Sequence, residues 1–382
     1  MRVLELPAGK SPREWGRIHG ETFRGEIKAL VDIRSFLCTK VGGFKGAAEV
    51  RAAAAVHLPV LERYDRGLYD ELVGIAEGAA LTAEDIVIAN HYTDLRDLDP
   101  DPSKWLAAPR RDDPEALHRR SGEDPTRCTP AGSSGLAGDG CSVVWSETPS
   151  GRVLGQTWDM HATAIPYVML LRVPASTDGP AASLLTVTGC LGMAGMSASR
   201  VAVAINNLYS SDATVGVVWP AVVRRALKQP NAQAAREVIA TSPIGSGRHY
   251  FIADRTNAFA LEASGTRRKQ VFSGGVAYCH TNHCVDGDIA ALSSVPAAST
   301  TYDRMSWLEA SLGRAAITGL ADAWRRLGSD DGWPRSVCTN MATPEAPHGA
   351  ATCGAIAMNL DSGELWVQQG LIHNVAPERF QL

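Results

Sequence analysis

Apolar positions in the first hundred residues follow a helical period. They recur three and four positions apart over residues 12–30 and 47–64, which predicts amphipathic helices. Thr82 and Asp85 have the spacing of a capping box, so another helix is expected over residues 86–95. The chain therefore opens with a helical part, which we assign to residues 1–96.

After residue 140 the period changes to two. Short segments rich in β-branched residues alternate with Gly, Pro and Ser turns, which predicts strands. These segments are residues 141–145, 153–158, 167–173, 184–187, 201–205, 249–254, 258–262, 276–279, 355–359 and 365–368. Helical spacing returns over residues 219–228, 232–240 and 300–312. Strands and helices grouped in this way predict an α+β fold, with two sheets packed face to face and helices outside.

Residues 97–140 differ from the rest of the chain in composition. They hold six prolines, clustered Asp and Arg, and the glycine-rich run AGSSGLAGDG. Such a stretch buries little apolar surface, which favours a flexible loop or a plain linker. We therefore predict a helical part (1–96), a loop (97–140) and a catalytic core (141–382) within one compact domain.

Composition excludes several function classes. The chain has 37 Lys and Arg against 41 Asp and Glu, a net charge of −4, which argues against nucleic acid or anionic lipid as a partner. Arg2 and Glu5 interrupt the apolar start, so we expect neither a signal peptide nor a membrane span, and a cytoplasmic location. The sequence has no phosphate-binding or dinucleotide-binding motif, and we predict no cofactor.

The segment CHTNHC at residues 279–284 has the composition of a metal site. On a strand, successive side chains face opposite sides, so its two Cys and two His would not converge on one ion. We therefore predict no metal, and keep a zinc hydrolase built on His280 and His283 as an alternative. Between these histidines, Asn282 carries an amide that can donate hydrogen bonds.

The junction of Gly140 and Cys141 is the most informative candidate for a reactive site. A glycine-rich run leads directly into a strand that begins with cysteine. Gly140 has no side chain to hinder attack on its carbonyl, which is consistent with self-cleavage before Cys141. A hairpin turn followed by a buried cysteine is the alternative, and the local sequence alone favours it.

Larger motifs resemble one known family. The segments GQTWD (155–159), HTNH (280–283) and STTYDR (299–304) occur in the expected order. They resemble the acyl-coenzyme A:6-aminopenicillanic acid acyltransferase family, the isopenicillin N acyltransferase-like N-terminal nucleophile (Ntn) hydrolases. Thr157 replaces an Asn of the family motif. The resemblance extends to the opening helix, to residues 71–90 and to the core strands.

The resemblance implies a four-layer αββα sandwich of two antiparallel sheets flanked by helices. It implies self-cleavage between Gly140 and Cys141 into an α chain (1–140) and a β chain (141–382) that stay associated. Cys141 would then be both nucleophile and α-amine base in the reaction of a small-molecule amide or acyl donor. By the same resemblance, Asn282 would bind the oxyanion, Asp159 would orient the α-amine, and Arg304 would support the nucleophile.

Two alternatives stay open at this point. Cys128 is a rival cleavage site, although the family register favours Cys141 because Asp159 follows it by eighteen residues. A binding protein that keeps the fold, but is neither processed nor catalytic, is an alternative of a different class. The identity of the substrate, and the choice between hydrolysis and acyl transfer, are not determined by the sequence.

Overall fold

The computed structural model describes residues 1–105 and 140–382. The α-helices in these ranges are α1 (Pro12–Thr22), α2 (Arg24–Val41), α3 (Ala47–Ala55), α4 (Leu58–Tyr64), α5 (Arg66–Ala79), α6 (Ala83–Asp97), α7 (Trp219–Leu227), α8 (Ala232–Thr241), α9 (Gly287–Ala290), α10 (Thr301–Arg314) and α11 (Leu320–Leu327). The strands are β1 (Arg2–Glu5), β2 (Gly140–Thr148), β3 (Gly151–His161), β4 (Val168–Val173), β5 (Ala182–Val187), β6 (Ala194–Ser197), β7 (Ala202–Asn207), β8 (Arg248–Ala253), β9 (Ala258–Ala263), β10 (Arg268–Ser273), β11 (Ala277–His280), β12 (Ala350–Asn359), β13 (Glu364–Gln369) and β14 (Glu378–Gln381).

The described strands form two sheets that pack face to face. One has the order β1-β4-β5-β6-β7-β8-β9-β10 and the other β11-β2-β3-β12-β13-β14. Helices α7 and α8 cover the first sheet, and α10 and α11 cover the second. The predicted α+β sandwich with outer helices is confirmed. One detail differs, because β1 pairs with β4 in parallel while every other strand pairing is antiparallel in the described chain.

Two predicted helices are each divided in the structure. The helix expected over residues 12–30 breaks at Phe23, whose backbone leaves the helical region at φ −122° and ψ 30°. The helix expected over residues 47–64 breaks between α3 and α4. In both cases the apolar period continues through the break, so the pattern does not reveal it. Strands β1, β10 and β14 lie at or near the sheet edges and are not predicted from the sequence.

Glycine allows two helices of the N-terminal part to cross at close range. A Cβ added at Gly16 would overlap the Glu71 carbonyl oxygen, and one at Gly78 would overlap the Arg17 carbonyl oxygen. Helices α1 and α5 therefore approach through their backbones, which no larger residue would permit.

The helical part and the sheets share one hydrophobic core. Asn90 on α6 donates to the Gly189 carbonyl at 2.8 Å and accepts from Leu191 N at 2.9 Å. Glu71 on α5 forms a buried ion pair with Arg224 on α7. Most of the predicted loop, including Cys128, lies outside the described residues. Among the helices of residues 1–105 and 140–382, none combines the length and the hydropathy that a bilayer span requires.

Candidate active site

Strand pairing brings Asp159 beside the Gly140–Cys141 peptide. In the β2–β3 hairpin, Gly140 pairs with Asp159 and Cys141 pairs with Trp158. The turn at residues 148–151 sets this register, so the eighteen-residue spacing between Cys141 and Asp159 becomes a direct contact. Cys141 is 2% exposed and Asp159 is 1% exposed.

Three side chains bind the backbone of Cys141. Its N–H donates to Asn282 Oδ1 at 2.7 Å. Its carbonyl oxygen accepts from Asn206 Nδ2 at 2.8 Å and from Arg304 Nη1 at 2.9 Å. The backbone of the candidate nucleophile is therefore held on both sides, from β7, from α10 and from the turn after β11.

Arg304 lies at the centre of this arrangement. Its buried guanidinium donates to Ser142 Oγ at 3.0 Å and to Asn282 Oδ1 at 2.8 Å, besides the Cys141 carbonyl. Its Nε donates to Thr300 Oγ1 at 2.9 Å, one helical turn earlier. The planar guanidinium thus joins Cys141 to Asn282 with fixed directions, which an ammonium group would not reproduce.

Asn282 is held from three directions in a turn that follows β11. Its Oδ1 accepts from the two donors already named, Cys141 N–H and Arg304. Its Nδ2 donates to the Asn207 carbonyl at 2.9 Å, and its backbone N–H donates to Thr301 Oγ1 at 2.7 Å. The amide oxygen, and not the amide nitrogen, therefore faces the Cys141 nitrogen in the uncut chain.

Gly140 is in close contact with the same group of residues. A Cβ at this position would lie 2.9 Å from Asp159 Oδ2 and 3.3 Å from Arg304 Nη2. Any other residue would push against the carboxylate and the guanidinium. The glycine before the candidate nucleophile is thus explained by space.

Burial controls the electrostatics of the site. Burial, with a smaller contribution from the Asp159 carboxylate, raises the pKa of the Cys141 thiol to about 12, although the N–H groups of Asp159 and Asn207 and the Arg304 charge oppose the shift. Burial also raises the pKa of Asp159 against the lowering effect of Arg304 and the Thr352 and Thr157 hydroxyls. The pKa of Arg304 is lowered by burial. In the uncut chain the thiol is therefore protonated at neutral pH.

A small cavity of about 20 Å³ lies against Cys141. A volume of this size holds about one water molecule. Its lining is largely apolar and aromatic, with Arg34 from α2 and Arg248 from β8 as its cationic members. Arg248 pairs with Asp94 at 2.5 Å and lies over the Trp219 ring at 4.3 Å. The N-terminal helices thus form part of the wall beside the candidate nucleophile.

The structure brings Cys141, Asp159, Asn282 and Arg304 together, as the family resemblance implies, and adds residues that the sequence analysis did not single out. Asn206 and Asn207 end strand β7 and contact Cys141 and Asn282 respectively. The available signal was a pair of consecutive asparagines closing a strand of buried apolar residues, VAVAINN. That signal is weak because asparagine is common at strand ends.

The CHTNHC segment is not a strand throughout, contrary to the assumption made for it. Strand β11 ends at His280, and the chain then turns. His280 Nε2 lies 2.9 Å from Glu262 Oε1 and its Nδ1 lies 2.7 Å from the Thr281 carbonyl. Both ring nitrogens of His280 are therefore engaged with oxygen atoms of the protein, and neither points at an open position for a metal. Among the described residues, no group of three His, Cys, Asp or Glu could hold a metal ion.

The two packed sheets flanked by helices, with Cys141 near the start of strand β2, are the arrangement that the resemblance to the Ntn hydrolases implies. The family model for acyl-coenzyme A:6-aminopenicillanic acid acyl-transferase matches residues 146–339, just over half of the chain. The protein belongs to this family of acyl-transfer enzymes, which confirms the resemblance. The match includes Asp159, Asn282 and Arg304 and begins after Cys141.

One curated relative bears the name of this family. The 40 kDa form of acyl-coenzyme A:6-aminopenicillanic-acid-acyltransferase from Emericella nidulans is 24% identical over 348 residues, which cover 88% of this chain and 84% of the relative. Two solved structures are more distant. A mutant form of conjugated bile acid hydrolase from Clostridium perfringens is 11% identical, with a TM-score of 0.41, and the match covers 63% of this chain and 97% of that chain. Penicillin V acylase from Agrobacterium tumefaciens is 12% identical, with a TM-score of 0.35, and the match covers 63% of this chain and 84% of that chain.

Proposed function

We propose that this protein cuts itself between Gly140 and Cys141 and then hydrolyses or transfers the acyl group of a small-molecule amide through a Cys141 thioester. The observation that carries the proposal is the set of contacts around the backbone of Gly140 and Cys141. Asn282 binds the Cys141 nitrogen, Asp159 lies against Gly140, and Arg304 binds the Cys141 carbonyl. A merely buried cysteine would not need three buried polar groups from different elements around its backbone.

Self-cleavage begins with loss of the Cys141 thiol proton to solvent. The sulfur of Cys141 attacks the Gly140 carbonyl carbon. The C–N bond to Cys141 then breaks, and its nitrogen takes a proton to become an α-amine. Water hydrolyses the resulting thioester, leaving the Gly140 carboxylate and the free thiol.

After cleavage, Cys141 has both a base, its α-amine, and a nucleophile, its thiol. An α-amine titrates at about 7.7–8.0 and an ordinary thiol at about 8.5, so the amine can accept the thiol proton near neutral pH. The thiolate attacks the substrate carbonyl, the amine product leaves with a proton, and a thioester remains. Water resolves it in hydrolysis, and a second amine resolves it in acyl transfer.

Each surrounding residue has a role in this scheme. Asn282 holds the Cys141 nitrogen through Oδ1 in the uncut chain and supplies its amide to the oxyanion during turnover. Asp159, beside the new α-amine, favours its charged form. Arg304 fixes Cys141 and Asn282 relative to each other. The name of the Emericella nidulans relative, an acyltransferase of 6-aminopenicillanic acid, supports a small-molecule acyl compound as substrate.

The two products are expected to remain one folded unit. Three buried contacts join residues 1–140 to residues 141–382. Asn90 binds the Gly189 carbonyl, Glu71 pairs with Arg224, and Asp94 pairs with Arg248. These contacts, and the shared core, support stable association of residues 1–140 with residues 141–382 after the cut.

The test is a denaturing intact-mass spectrum of the purified wild type beside its Cys141→Ala variant. We expect two chains that meet at Gly140 and Cys141 for the wild type, and one whole chain for the variant. A screen of amides then compares turnover by the two proteins. A wild type that stays whole, with no turnover that depends on Cys141, would favour a binding protein. A cut before Cys128 would move the nucleophile.

A further inference from the structure

Glu262 is a fully buried carboxylate close to the turn that carries Asn282. It lies on β9, in the eight-stranded sheet, whereas the turn follows β11 in the six-stranded sheet. Its strand neighbour across the β8–β9 ladder is His249, whose ring stacks on His280 at 3.7 Å between centroids and 5° between planes.

The contacts of Glu262 lie on both sides of Asn282 in the chain. Before Asn282, Oε1 lies 2.9 Å from His280 Nε2. After Asn282, Oε1 accepts from Val285 N at 2.8 Å and Oε2 accepts from Asp286 N at 3.0 Å. The Glu262 side chain therefore binds both ends of the turn to the eight-stranded sheet.

We propose that Glu262 is a positioning residue for Asn282. By holding both ends of the 280–286 turn, it keeps Asn282 Oδ1 within hydrogen-bonding distance of the Cys141 nitrogen. A buried carboxylate needs donors to offset its desolvation, and the donors used here are those of this turn. The inference rests on the role of Asn282 in the proposed function, but its first test requires no activity.

That test measures hydrogen–deuterium exchange at the amide of position 141 in the uncut Cys141→Ala chain. Adding Glu262→Gln keeps the size of the side chain but places an amide where one acceptor oxygen was. We expect exchange at 141, 285 and 286 to become about tenfold faster or more, because these amides lose protection locally. The positive control for position 141 is the Cys141→Ala chain that carries Asn282→Ala instead of Glu262→Gln, because this chain lacks the acceptor of the position 141 amide.

The matched control is Asp254→Asn in the same Cys141→Ala chain. Asp254 is another buried carboxylate that accepts three backbone N–H groups, from Ala232, Thr256 and Asn257, away from the Asn282 turn. This change should leave the exchange at 141 unaltered. Unchanged exchange at 141 in Glu262→Gln, or an equal rise throughout the molecule, would overturn the proposal. If Glu262→Gln does not fold, His280→Gln removes the contact at one end of the turn and carries the same expectation and the same refutation.

A double-mutant cycle on Cys141-dependent turnover separates positioning from general support. Displacement of Asn282 by about 1 Å in Glu262→Gln should cost about 10²-fold in kcat, with little change in KM. In an Asn282→Ala background the same change should cost less than about threefold, because the residue it positions is gone. Losses that multiply would contradict the inference, while absence of turnover in the wild type would count against the proposed function alone.

Discussion

The backbone N–H of Cys141 donates a 2.7 Å hydrogen bond to Asn282 Oδ1 across 141 residues of chain. In the uncut protein this bond holds the nitrogen that would leave during self-cleavage. After the cut the same oxygen would face the new α-amine. One contact thus serves the precursor and the processed enzyme in the proposed scheme.

Replacing Asn282 with alanine should leave the fold intact and reduce turnover by about 10²–10³-fold, the usual cost of one oxyanion donor. The variant also leaves the buried Cys141 N–H without its acceptor, at a cost of about 1–3 kcal/mol in stability. Steady-state kinetics and thermal unfolding measure the two effects. Asn257→Ala, in an exposed turn, is the control. Unchanged kinetics in Asn282→Ala would remove this residue from the proposed role.

Gly140→Ala should slow self-cleavage markedly. The added methyl would lie 2.9 Å from Asp159 Oδ2, and either the carboxylate or the strand must shift. A displacement of about 1 Å can cost about 10²-fold in rate. A time course of intact mass measures it, beside Gly25→Ala, where an added Cβ meets nothing within 4 Å. Equal cleavage rates in both variants would show that the close contact has no bearing on the reaction.

Arg304→Lys should impair both processing and turnover. A lysine keeps the charge but cannot direct donors at once to Cys141 O, Ser142 Oγ and Asn282 Oδ1. We expect a loss of about 10²-fold, on the scale of a misplaced reacting group. The control is Arg66→Lys on α5, an exposed arginine whose partners lie one turn away on either side. Wild-type rates in Arg304→Lys would show that charge alone is sufficient.

Self-cleavage of the uncut chain should accelerate as the pH rises. The pKa of the Cys141 thiol is raised to about 12, so its thiolate fraction grows about tenfold per pH unit through the neutral range. The stability of the fold changes in the opposite direction. A thiol pKa that is higher in the folded state than in the unfolded state stabilises the fold at any pH below the unfolded pKa. This contribution is lost as the pH rises towards 12. Cleavage rates of freshly refolded protein between about pH 6 and pH 9, which bracket the usual thiol range, test the first expectation. A flat profile would mean that loss of the thiol proton to solvent does not limit the rate.

Asp159→Asn should gain stability relative to its parent as the pH rises from acid to neutral. Burial raises the pKa of Asp159 in the folded state, so the native carboxyl binds its proton more tightly than the unfolded one. Its stabilising contribution is complete below the unfolded pKa and is lost as pH rises through the folded pKa. Asparagine does not titrate. Urea unfolding of both proteins in the Cys141→Ala background, at several pH values, checks this, and a difference independent of pH would contradict it.

The strand and helix periods predicted most of the core elements, because buried faces impose a period of two or near four on the sequence. Breaks such as Phe23 and edge strands such as β10 were not predicted, since the apolar pattern is continuous or weak there. The four residues of the predicted site came from family motifs, and no local pattern placed them together. Asn206, Asn207 and Glu262 were missed because each is unremarkable within its own strand.

The sequence by itself determined the α+β class and the family, and it predicts the Gly140–Cys141 junction as the cleavage site, because these depend on periodicity and short motifs that are local in the chain. Only the tertiary structure decided which oxygen or nitrogen faces Cys141, why residue 140 has no side chain, and how Glu262 reaches across from the opposite sheet. Those features depend on strand register and on the packing of one sheet against the other, which join residues far apart in the chain.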